Sequence, residues 1–125
     1  MKIKIACVGK IKESFYREAI AEYSKRLSRF CKLEIVEVAE ELRNNLNDKN
    51  LQAVKVAEGQ RLESALKGFV IALDINGKQL ASESLAAEID ALTVGGVSEI
   101  TFVIGGSYGL SESVLKNADM LLSFG

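Results

Sequence analysis

The period of the hydrophobic pattern changes repeatedly along the chain, and each change marks an element. Residues 2–8 (KIKIACV) alternate charged and apolar positions and then turn apolar, as a strand does, with Gly9-Lys10 as a turn behind them. From 13 to 30, Tyr16, Ala19, Ile20, Tyr23, Leu27 and Phe30 recur at helical spacing and predict one buried helix face. Residues 33–39 (LEIVEVA) return to period two, a second strand. A polar, Asn-rich segment at 40–50 predicts an exposed loop, and a second helix is expected over about 50–67, interrupted by Gly59. Residues 69–75 (FVIALDI) are apolar until Asp74, as suits a strand covered on both faces, and Asn76-Gly77 predicts a tight turn. Ser82 is placed as an N-cap with Glu83 favourable to the helix dipole. The helix behind it carries Leu85, Ile89 and Leu92 on one face and ends near Gly95-Gly96. Residues 99–104 (EITFVI) predict a fourth strand, 111–117 a short helix capped by Ser111, and Met120 to Phe124 a fifth strand.

Alternation of strands and helices in this order implies an α/β fold: an open, mostly parallel five-stranded sheet with helices on both faces. At 125 residues the chain fits a single domain spanning 1–125. No apolar run approaches the roughly 20 residues needed to span a bilayer, so no membrane partner is expected. The N-terminus reads as a strand rather than a signal peptide, and the two cysteines, Cys7 and Cys31, read as buried thiols of a cytoplasmic protein.

Composition narrows the chemistry. With no histidine, neither a Ser-His-Asp nor a Cys-His nucleophile pair can form, and no cluster has metal-ligand spacing, so no metal is expected. Glu40-Glu41 read as surface charges, and Glu58 with Arg61 as an i,i+3 pair on a helix. The net charge of −1 conceals an asymmetry: Lys and Arg outnumber Asp and Glu strongly within residues 1–33, and the acidic excess lies in the rest. Lys25, Arg26 and Arg29 in that basic third are candidates for phosphate contact, or else form a solvated helix face.

In open parallel sheets ligands bind beyond the carboxyl ends of the strands. Two segments are placed there, Leu73-Asp74-Ile75-Asn76-Gly77-Lys78 and Ile104-Gly105-Gly106-Ser107-Tyr108-Gly109. Glycines in such a turn let backbone N–H groups approach a ligand. The G-G-x-x-G pattern is neither a dinucleotide fingerprint nor a P-loop, and locally it fits a tight strand-to-helix turn without a ligand equally well.

Taken in order, several segments resemble the RlmH family of SPOUT-class RNA methyltransferases over essentially the whole chain. They are Val8-Gly9-Lys10-Ile11-Lys12-Glu13, Ala19 to Leu27, Glu58-Gly59-Gln60-Arg61, Leu73 to Lys78, Ser82-Glu83, and Phe102 to Leu110. The resemblance implies a SPOUT-like, Rossmann-like domain that transfers methyl from S-adenosylmethionine to N3 of a pseudouridine in large-subunit ribosomal RNA, working as a homodimer on the ribosome. It implies a cofactor pocket lined by Leu73, Gly105, Gly106, Ser107, Gly109, Ser123 and Phe124, and an RNA-facing surface that includes Lys25, Arg26 and Arg29. Neither the residues nor the resemblance assigns a catalytic base.

Family members continue beyond a segment like Leu122-Ser123-Phe124 with a Ser-x-Met-Thr-x-Pro-His loop and a long final helix, whereas here Gly125 is the last residue. The resemblance therefore implies an unknotted, truncated, monomeric variant whose cofactor binding is impaired. A micromolar complex has about 8 kcal/mol of binding free energy, and each loss of about 1.4 kcal/mol weakens it tenfold. Two alternatives stand beside this expectation. One is an active enzyme completed by another chain or a rearranged dimer, and the other is a non-catalytic module that contacts RNA or the ribosome.

Overall fold

Strands too apolar to leave either face in water dictate the layering. The computed structural model describes residues 2–9, 32–43, 47–79, 82–106 and 108–123. They form β1 (Lys2–Val8), β2 (Lys32–Val38), α1 (Asp48–Glu63), β3 (Phe69–Gln79), α2 (Ser82–Val94), β4 (Glu99–Ile104), α3 (Glu112–Asn117) and β5 (Met120–Ser123). The helix expected over 13–30 and Cys31 lie outside the described residues. The strands form one five-stranded sheet in the order β2-β1-β4-β3-β5. Each pairing among them is parallel.

Period-two alternation sends neighbouring side chains to opposite faces. On one face Ile5, Ile71, Ile100, Phe102 and Leu122 pack with Leu85 and Ile89 of α2. On the other, Ala6, Val8, Val70, Ala72 and Val103 pack with Leu62 and with Val114 of α3. Helices thus cover both faces. Full burial of one such aliphatic side chain contributes roughly 1.5–3 kcal/mol.

Local chemistry sets where the helices stop. The side chain of Asn47 accepts from the Asn50 amide at 2.9 Å and caps α1. α1 then runs through Gly59 unbroken, which corrects the expected interruption: Gly59 is buried on the inner face, against Ser111. α2 ends near Gly95-Gly96 as expected, with the Gly96 amide donating to Thr93 O at 3.1 Å and the Val97 amide to Leu92 O at 3.0 Å. Ser111 caps α3 as expected, its side chain accepting from the Val114 amide at 3.3 Å.

The segment with the expected tight turn at Asn76-Gly77 lies inside β3 as the structure bounds it. β3 continues to Gln79, and its register against β5 shifts so that both Leu73 and Lys78 pair with Leu122. The intervening residues 74–77 leave the ladder as a wide irregularity, or bulge, at the place where the turn is expected. Gly77 makes this possible, because a Cβ there would lie 2.6 Å from the Leu122 amide nitrogen.

Candidate functional site

β3 and β4 are neighbours whose connections diverge. β3 leads into α2 on one face, and β4 leads into α3 on the other. Divergence of this kind opens a crevice at the carboxyl ends of the two strands. Register places Leu73 beside Ile104 of β4 on one side and Leu122 of β5 on the other. Gly105 follows Ile104 and Ser123 follows Leu122 in the chain, so three of the expected site residues, Leu73, Gly105 and Ser123, meet at one edge of the sheet. Leu73 and Leu122, with half-buried Ile104, belong at that end to the apolar core that packs with Leu85 and Ile89 of α2.

The glycine turn closes on itself beyond β4. The Gly109 amide donates to Gly106 O at 3.1 Å, and Gly109 takes a φ of +88° that a residue with a side chain rarely adopts. A Cβ on Gly105 would lie 2.6 Å from the Gly109 carbonyl carbon, and one on Gly106 would lie 2.9 Å from Glu58 Oε1. These two glycines therefore make room for atoms of the chain itself. Beside Gly109 a Cβ would meet nothing within 4 Å, so this is the open side of the turn, next to exposed Tyr108. Ser107 and Phe124 lie outside the described residues, as do Lys25, Arg26 and Arg29.

Behind the turn lies a polar cluster that the sequence reading misassigned. Glu58, expected as half of an i,i+3 pair with Arg61, is 4% exposed, accepts from the Glu41 amide at 3.1 Å through Oε2, and has no hydrogen-bond partner for Oε1 among the described residues. Burial pushes its carboxyl above the ordinary glutamate range, against the opposing hydrogen bond from the Glu41 amide. Arg61 does not pair with Glu58. It donates to Glu41 Oε1 at 2.8 Å and to Ala39 O at 3.0 Å, while Arg43 reaches Glu41 Oε2 at 3.0 Å. Glu41 is likewise tied into this network rather than an isolated surface charge. The sequence did carry a signal for Glu58: it sits between Val54 and Leu62 at i, i+4 and i+8, on the stripe that α1 buries.

Cys7 is a buried thiol as expected. Burial, with Glu37 as a second cause, pushes it up to about 11, and its Sγ lies 3.5 Å from Gly9 O, so it is no candidate nucleophile. Among the described residues no group of three or more His, Cys, Asp or Glu is placed to hold a metal ion. No helix among them is long and apolar enough to cross a membrane.

Residues 1–125 match the family described as "Predicted SPOUT methyltransferase". The chain belongs to this family. Among its relatives is ribosomal RNA large subunit methyltransferase H of Lactiplantibacillus plantarum, 52% identical over 128 residues that cover 100% of this chain and 80% of the relative. The protein of the same name from Bifidobacterium adolescentis is 53% identical over 127 residues, covering 99% of this chain and 80% of its own length. That of Streptococcus equi subsp. zooepidemicus is 49% identical over 128 residues, again 100% and 80%.

Proposed function

We propose that this SPOUT methyltransferase holds S-adenosylmethionine at the carboxyl ends of β3, β4 and β5 and methylates ribosomal RNA of the large subunit, at N3 of a pseudouridine. The observation that carries the reading is the meeting of Leu73, Gly105 and Ser123 at one sheet edge in a member of a methyltransferase family. The relatives' names supply the substrate class.

The residues present fit such a cofactor. Half-buried Ile104 offers apolar contact for an adenine ring or methylene groups, and the open side of the turn at Gly109 admits a ligand to the backbone. Leu73, Gly109 and Ser123 would hold it, together with Ser107 and Phe124, while Gly105 and Gly106, packed against the chain's own atoms, would shape the turn behind it. S-adenosylmethionine supplies a sulfonium methyl group: its S–C bond breaks as the N–C bond forms, leaving S-adenosylhomocysteine and releasing the N3 proton. Lys25, Arg26 and Arg29, within the basic N-terminal third, are proposed to meet RNA phosphates.

Calorimetric titration with S-adenosylmethionine tests the site. Saturable binding is expected, weakened at least tenfold, or by about 1.4 kcal/mol, in Leu73→Asp. No binding up to millimolar ligand overturns the assignment. Transfer of labelled methyl to ribosomes lacking the modification tests the substrate. RNA contact at the basic residues predicts salt-dependent binding that weakens in the triple alanine variant of Lys25, Arg26 and Arg29.

A further inference from the structure

We propose that Glu58 is a positioning residue for the glycine turn: its carboxylate fills the space Gly106 leaves open while it accepts from the loop between β2 and α1. Three observations converge on it. A Cβ on Gly106 would lie 2.9 Å from Glu58 Oε1, 3.2 Å from Oε2 and 3.2 Å from a methyl carbon of Val8, so this glycine is matched to that carboxylate. The other carboxylate contact runs to the Glu41 amide, at 3.1 Å. The next residue, Gly59, repeats the match at the far end of the turn, where a Cβ would lie 2.6 Å from Oγ of the α3 cap Ser111. One step of α1, Glu58-Gly59, thus packs against both Gly106 and Ser111.

A purely structural filler would not be a glutamate. Burying a carboxyl oxygen without a hydrogen-bond partner costs stability that an apolar side chain of similar size would not. Glu58 Oε1 is in that position among the described residues, and it faces Gly106 of the turn whose open side, at Gly109, carries the proposed cofactor site. The charged groups acting on it are Glu40 and Glu41 from the loop and Arg61 from its own helix. A residue so placed sets the height and tilt of the turn backbone without touching a ligand.

The functional half of this inference rests on the methyl-donor reading of the turn; the structural half is measured without any donor. Amide NMR of the chain over a pH series is expected to show Gly105, Gly106 and Gly109 resonances shifting together with ionisation of Glu58. In Glu58→Gln that step disappears, while the Leu85 and Ile89 amides in the α2 core stay unchanged. Gly106→Ala is expected to perturb the turn resonances strongly, and less so in a Glu58→Ala background. With S-adenosylmethionine as probe, Glu58→Ala is expected to weaken binding about tenfold and Glu58→Gln to restore it to within about twofold of wild type. Turn resonances indifferent to Glu58 ionisation and to both substitutions overturn the inference. Turn resonances that follow Glu58 in a wild-type chain that binds no donor support the positioning link and overturn the cofactor reading instead.

Discussion

Arg61 spans from α1 to the loop after β2, donating to Glu41 Oε1 at 2.8 Å and to Ala39 O at 3.0 Å, and leaves Glu58, one turn back on its own helix, to the Glu41 amide. Glu41 is therefore gripped by its side chain and its backbone at once. The hydrogen bond from Arg61 is the leading cause that holds the Glu41 carboxyl below the ordinary glutamate range, with burial opposing it. A carboxyl lowered in the folded state contributes stability that is present above its unfolded value, about 4.3, and is lost as pH falls through the folded value. Arg61→Ala is expected to lower the unfolding midpoint at neutral pH. The gap from wild type should narrow as Glu41 protonates, which denaturant titrations at pH 7 and near pH 3 would measure. A gap that does not depend on pH would reject this account.

Glu58 has the opposite sign. Its folded carboxyl is raised, so its contribution is greatest below the unfolded value and is lost as pH rises through the folded one. Glu58→Gln removes the ionisation and keeps the shape. Its stability relative to wild type should therefore increase from pH 4 to pH 8, read from paired urea curves; a difference that falls or stays level over that range counts against a raised carboxyl.

At the start of β5, Asp119 and Val70 exchange two hydrogen bonds: the Val70 amide donates to Asp119 Oδ2 and the Asp119 amide to Val70 O, both at 2.8 Å. Val70 is buried, so Asp119→Ala strands its amide without an acceptor. The expected cost is about 1–3 kcal/mol. Asp119→Asn retains an acceptor and should cost less, and equal losses in thermal or chemical unfolding would show that the amide finds another partner.

The bulge in β3 depends on Gly77, whose missing side chain admits the backbone of Leu121 and Leu122. Gly77→Ala must push β5 away, at an expected cost of about 1–3 kcal/mol. Because the displaced residue Leu122 is also paired with Leu73, donor binding should weaken along with stability. Calorimetry on the variant checks both, and unchanged donor affinity in a destabilised variant would separate the bulge from the site.

What the sequence determined by itself was local. The strands at 2–8 and 99–104, the Leu85 and Ile89 face of α2, the Ser111 cap and the alternation that sets the parallel sheet were all legible, because period and capping depend on neighbours within a turn or two. The meeting of Leu73 with Gly105 and Ser123 was implied by resemblance, and strand register is what brings them together. Tertiary structure decided the rest. Asn76-Gly77 has the composition of a tight turn, and residues 74–77 leave the β5 ladder; that the ladder resumes at Lys78 and Gln79 is decided by Leu122 and Ser123 of a distant strand. Arg61 chose a carboxylate 20 residues away over one on its own helix, because the loop after β2 is folded over α1. Glu58 lies on the buried stripe, but only the approach of Gly106 makes its burial informative: the glycine turn lies against a carboxylate from another element.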